Sequence, residues 1–164
     1  MDQRIAEFVS VVRARNVRES LAAVLLILYF GYRLTMAPEG VHPVGACIVI
    51  AACIVILLLA WTILDIPESD VTRFPPDQHP EHWRKKMTTQ AAALKLAWLW
   101  YVLPLLGGVA LIVVGRGEGW NSTSAVVSLV VLALIGLLLA AANVSAGARL
   151  ERERDEWFGN AAKA

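Results

Sequence analysis

Four long apolar stretches dominate the sequence and restrict the folds that are open to it. They run over residues 21–36, 44–64, 96–114 and 125–148. At 1.5 Å of helix rise per residue, each has roughly the length needed to cross a hydrocarbon core of about 30 Å. The chain is 57% hydrophobic and only 18% charged, which is unlike a soluble domain. We predict an all-α membrane protein with four transmembrane helices.

The basic residues are distributed very unevenly between the connections. Thirteen of the fifteen lie before the first stretch, between the second and third, or after the fourth, whereas Arg33 and Arg116 are the two on the other side. Lys and Arg accumulate in cytoplasmic connections. We therefore predict that both termini are cytoplasmic. The pattern gives two antiparallel transmembrane hairpins, residues 20–64 and 94–148, whose outer turns are at 37–43 and 115–124.

Residues 1–19 combine an apolar helical face with several arginines. Ile5, Phe8, Val9 and Val12 recur at helical spacing. We predict an interfacial amphipathic helix, which either docks a cytoplasmic partner or only anchors the chain at the lipid surface. The residues expected to contact lipid or a partner here are Arg13, Arg15 and Arg18. A cleavable signal is disfavoured because Tyr32 and Arg33 occupy the region where small residues are needed.

Residues 65–93 form the longest polar connection, and residues 149–164 a cytoplasmic tail. The connection is acidic and rich in proline as far as Pro76, and from Pro80 it has good helix formers. We expect this helix to continue into the third span and to hold Arg84, Lys85 and Lys86 against anionic headgroups or a partner. His79 and His82 are separated by Pro80 and have no third ligand at fixed spacing, so no metal site is predicted.

The third and fourth spans contain residues suited to close helix packing. Proline removes a backbone donor and should kink the third span, either as a static bend or as a gate, while small residues let a neighbouring backbone approach. An amide in lipid needs a hydrogen-bonding partner, so Asn143 should face another helix or the inner interface. The predicted packing residues are Pro104, Gly107, Gly108, Gly136, Ala140 and Asn143.

Several classes of function find no support in the sequence. No span has a carboxylate at its centre for a proton or cation relay. The catalytic triads, the HExxH motif, the phosphate-binding glycine loop and paired intramembrane histidines are absent. The near-neutral charge, 15 basic against 14 acidic residues, does not favour nucleic-acid binding. We predict a non-enzymatic protein without a cofactor.

One stretch resembles a known group of proteins. Trp98-Leu-Trp-Tyr-Val-Leu-Pro-Leu-Leu-Gly107, after a basic helix and with Arg15-Asn-Val-Arg-Glu-Ser20 ahead of the first span, looks like a group of small, uncharacterised bacterial four-span membrane proteins. These are often encoded beside extracytoplasmic-function sigma factors. The resemblance implies a bacterial inner membrane and a regulatory role. The HxxxCxxC motif of many anti-sigma factors is missing, and about 20 residues before the first span leave no room for a globular sigma-binding domain.

These observations lead to two hypotheses. The first is an inner-membrane protein, regulatory or scaffolding, that presents residues 3–18, residues 65–93 and the tail to a cytoplasmic protein partner. The alternative is a small transporter or channel subunit, which would have to form a homo-oligomer because four apolar spans leave no evident polar lumen.

Overall fold

The computed structural model describes residues 2–36, 42–115 and 123–159, and these ranges are helical with no strand. Three helices are long and apolar enough to cross a membrane, and the number is four if the bent pair Pro80–Lys95 and Trp98–Val114 is counted as one span. The prediction of an all-α, multi-pass membrane protein is confirmed. Both predicted outer turns lie largely outside the described residues, as do the last five residues of the tail.

The helices are α1 Asp2–Met36, α2 Pro43–Thr62, α3 Ser69–Arg73, α4 Pro80–Lys95, a π-helical turn Trp98–Val102, α5 Leu103–Val114 and α6 Thr123–Gly159.

The first and last helices are too long for the membrane alone. α1 has 35 residues and α6 has 37, which at 1.5 Å per residue makes both more than 50 Å long, against a hydrocarbon core of about 30 Å. Each therefore divides into an apolar part and a charged part. We call residues 2–20, 65–95 and 149–159 the charged layer, and the remaining described residues the apolar layer.

The charged layer has a hydrophobic core of its own. Trp83 and Met87 of α4 are completely buried, as is Ile5 of α1. The core consists of Ile5, Phe8, Val9, Val12, Ile66, Trp83, Met87 and Phe158. Since Ile5 and Phe158 share this core, the two ends of the described chain lie in the same layer.

The N-terminal segment therefore differs from the expected interfacial helix in two respects. It is not a separate helix, because α1 continues unbroken from residue 2 to residue 36. Its predicted apolar face is indeed one face of a helix, but this face packs against Trp83 and Met87. Protein side chains, rather than lipid, cover these four apolar residues, and contact of the arginines with lipid stays a prediction.

The third span is bent where we expected a continuous helix. α4 ends at Lys95, and the axis turns by 45° before Trp98–Val114. Pro104 is at the start of α5, directly after the π-helical turn. A wider turn before a proline is one way to accommodate the missing backbone donor. The main change of direction thus comes before Pro104, at Leu96 and Ala97.

The helices of the apolar layer pack in sequence through small residues. A close crossing joins α2 and α5, where a Cβ added to Gly45 would lie 2.6 Å from the carbonyl oxygen of Gly108. Leu106 of α5 packs onto Gly136 of α6. α1 packs against α2, α2 against α5, and α5 against α6, whereas α1 and α6 are not among the closely packed pairs within residues 2–36, 42–115 and 123–159.

Candidate functional site

A polar network ties three helices together where the two layers meet. Asn16 of α1 is completely buried and donates from Nδ2 to the carbonyl oxygen of Ala60 at 3.0 Å. Gln90 of α4 donates from Nε2 to the carbonyl oxygen of Leu64 at 2.6 Å. The last carbonyls of a helix have no partner within it, so Asn16 satisfies an acceptor in the last turn of α2, and Gln90 satisfies one two residues beyond its end. The network fixes α1 and α4 to α2 at the layer boundary.

Arg15 extends this network towards a large groove. Its guanidinium donates to Oε1 of Gln90 at 2.8 Å, and its Nε lies 3.7 Å from Oε1 of Glu19. Arg15 is half-buried. It was expected to contact lipid or a partner, and the structure places it between α1 and α4 with one edge on the groove.

The groove itself has a volume of about 740 Å³ and lies between α1, α4 and α6 in the charged layer. Its apolar floor is formed by Phe8, Val11, Val12, Leu94, Leu150 and Trp157. Its charged rim is formed by Arg4, Glu7, Arg15, Arg18, Arg149, Glu153 and Glu156. An apolar floor with a charged rim is the usual form of a groove that receives an amphipathic helix.

The charges of the rim are not evenly spread along the groove. Arg18 is three residues from Leu21, and Arg149 directly follows the apolar stretch of α6, so both lie within about 5 Å of the boundary along the helix axes. Three of the four charged lining residues farther out than Arg15 and Arg149 on these helices are acidic, namely Glu7, Glu153 and Glu156, and the fourth is Arg4. The groove is thus more basic near the apolar layer and more acidic at its far end.

The other predicted basic contacts take separate positions. Arg13 is exposed and forms an ion pair with Glu68. Arg84 is exposed, with Nη1 at 4.0 Å from Oε1 of Glu81. Lys85 is exposed and Lys86 half-buried, and these two line a smaller pocket. The structure thus separates the three basic residues that are consecutive in sequence.

Of the predicted packing residues, Gly108, Gly136 and Asn143 contact other helices. Nδ2 of Asn143 donates to the Tyr101 hydroxyl at 3.0 Å and to the carbonyl oxygen of Leu139 at 2.9 Å. Gly107, in contrast, has nothing within 4 Å of an added Cβ, and Pro104 and Ala140 are half-buried. Gly147, in the run of small residues that ends the fourth span, also makes a close contact, because a Cβ there would lie 2.9 Å from the carbonyl oxygen of Ala91 in α4.

Sequence reasoning did not find Asn16, Gln90 or the groove. An isolated Asn or Gln in a polar segment carries no signal of burial, and the groove depends on how three distant segments meet. Comparison with known proteins adds no assignment, because no family model, curated protein or solved structure matches the chain.

Proposed function

We propose that this protein is a non-enzymatic component of the bacterial inner membrane that docks a cytoplasmic protein partner, in a regulatory or scaffolding role. The groove of the charged layer is the observation that carries the proposal. Its occupant would be an amphipathic helix of the partner, with acidic side chains facing the basic end of the groove and basic side chains facing Glu7 and Glu156.

The rigidity of the charged layer supports this function. A docking surface binds more tightly when it needs no ordering on binding. Here Trp83 and Met87 pack α4 against α1. Lys95 of α4 forms an ion pair with Glu151 of α6, and Arg154 of α6 donates a hydrogen bond to the Thr88 hydroxyl of α4. The three walls of the groove are therefore held in place from behind.

Site-specific photocrosslinking in native membranes tests the proposal. A photoreactive residue at Val11, which is 59% exposed on the groove floor, should give a defined adduct. The same residue at Glu81, whose side chain is 86% exposed but outside the groove, is the matched control. The second variant Leu150→Asp should abolish the Val11 adduct, because it places a charge on the apolar floor.

The outcome separates docking from the alternative function. A partner adduct at residue 11 that disappears in Leu150→Asp supports docking. An adduct only with a second copy of the chain, together with solute flux in proteoliposomes, would replace docking by the transporter or channel subunit. Equal adducts at residues 11 and 81 would show that the groove has no special role.

A further inference from the structure

A second, smaller pocket lies on α4 beside the end of α2. It has a volume of about 250 Å³ and is lined by Ile63, His82, Lys85, Lys86, Thr89 and Gln90. The four residues from His82 to Thr89 follow one another at spacings of three, one and three, which places them on one side of α4. None of the lining residues is a carboxylate.

The imidazole of His82 is held firmly in this pocket. It stacks on the Phe74 ring at a centroid distance of 4.2 Å and makes an edge contact with Trp83 at 5.5 Å. Its Nε2 is buried and has no hydrogen-bond partner among the described residues. This Nε2 atom lies 3.6 Å from Oδ2 of Asp70, at ion-pair distance. The Nε2 atom is thus next to the Asp70 carboxylate, and the imidazole ring serves the pocket as a wall.

The two lysines differ in whether a carboxylate pairs with their charge. Nζ of Lys86 lies 3.4 Å from Oδ2 of Asp70. Within the part of the chain that the structure describes, Lys85 forms no ion pair, and the Thr89 hydroxyl donates no hydrogen bond. The pocket therefore offers an uncompensated ammonium and a free hydroxyl, which are donors that phosphate oxygens accept.

The position of the pocket relative to the apolar layer indicates where such a phosphate would come from. Gln90 reaches the carbonyl oxygen of Leu64, so it is level with the end of the apolar stretch. Ile63, 57% exposed, is beside it on the apolar side. Lys86 is one helical turn, about 6 Å, farther along α4. Lipid phosphates lie just outside the hydrocarbon core, at this level.

We propose that this pocket binds one phosphate group, carried by a lipid headgroup of the adjoining leaflet or by a small soluble phosphate ester. Lys85, Lys86 and Thr89 donate to its oxygens, and His82 closes one wall. The pocket shares the buried Gln90 with the groove but takes its donors from other residues, and it does not depend on the docking function proposed above.

Lipid retention measured by native mass spectrometry tests the lipid source. The full chain is purified in detergent and mixed with phosphatidylglycerol, and one lipid should stay bound. Lys85→Gln should weaken retention about fivefold, and the double variant with Lys86→Gln about 25-fold, as expected for two basic residues at an anionic surface. Arg84→Gln removes the same charge from a neighbour outside the pocket and should leave retention unchanged.

Titration of the same protein with glycerol 3-phosphate tests the soluble source. Thr89→Val, which removes a donor without changing charge, should weaken binding in whichever experiment detects it. Binding of either probe that is lost in Lys85→Gln and kept in Arg84→Gln supports the site and identifies its source. Equal loss in these two variants, no effect of Thr89→Val, or no binding of either probe overturns the proposal.

Discussion

The two layers of this protein are stabilised by different kinds of contact. In the charged layer, large side chains such as Trp83 and Met87 are buried and most charges are on the outside. In the apolar layer, side chains such as Phe30 and Ile56 are also buried between helices. Many other large side chains face outward there, since Leu137 and Leu138 are 68% and 71% exposed, and glycines occupy close contacts between helices.

This difference follows from the solvent of each layer. Water drives apolar side chains together, so the charged layer gains stability by burying large ones. Lipid is as apolar as leucine, so the apolar layer gains little from burial and depends on close packing and hydrogen bonds between helices. The same substitution should therefore have different effects in the two layers.

The largest effect is expected for a large buried side chain in the charged layer. Trp83→Ala should lower the free energy of unfolding by about 3–5 kcal/mol, because it leaves a cavity. It also removes the 2.7 Å hydrogen bond from Nε1 to the carbonyl oxygen of Phe74. Thermal unfolding in detergent, followed by circular dichroism, measures the change. Trp98→Ala is the control, since Trp98 is 43% exposed, and an equal loss there would contradict the distinction between layers.

Adjacent glycines of α5 test packing in the apolar layer. Gly108→Ala should cost about 1–3 kcal/mol by overpacking, because its Cβ would lie 2.7 Å from Cγ2 of Val49 and 2.8 Å from the carbonyl oxygen of Gly45. Gly107→Ala has open space and should be neutral or stabilising by up to about 1 kcal/mol from helix propensity. The same unfolding assay measures both. Similar values for the pair would mean that α2 and α5 do not cross here.

Two amides, the buried Asn16 and the half-buried Asn143, sharpen the comparison. Asn16→Ala should cost about 1–3 kcal/mol, because it leaves the carbonyl of Ala60 without its side-chain donor in a buried site. Asn143 bonds across helices within the apolar layer, where a double-mutant cycle with Tyr101→Phe should give a coupling near 0.6 kcal/mol. Unfolding of the unsubstituted protein, the two single variants and the double variant supplies the four free energies of the cycle. A coupling at Asn143 larger than the Asn16 loss would reverse the expected order.

The smallest effect is expected for an exposed ion pair. Arg149→Gln removes the 3.0 Å contact with Glu153, in which the arginine side chain is 83% exposed. Its loss should cost no more than about 0.5 kcal/mol, and the cost should fall with added salt. Unfolding at low and high ionic strength measures both. A loss above 1 kcal/mol that salt does not change would indicate a role in holding α6.

Much of the helical content could be predicted from the sequence, but the turn between α4 and the third span could not. Pro80 was correctly placed at the start of a helix, and the apolar stretch of residues 125–148 lies within α6. Proline was expected to bend the third span at residue 104. The 45° turn occurs earlier, because α4 must pack against α6 in the charged layer while α5 packs against α2 in the apolar layer.

The sequence by itself determined that the chain is helical and has several stretches long and apolar enough to cross a membrane, since hydrophobic content and helix rise are local properties. It also marked the face of residues 5–12 as apolar. Only the tertiary structure decided what covers that face, which of two adjacent glycines crosses another helix, and how Lys85 and Lys86 separate from Arg84. Such outcomes depend on contacts between segments distant in the chain, and the periodicity of one segment contains no information about its neighbours.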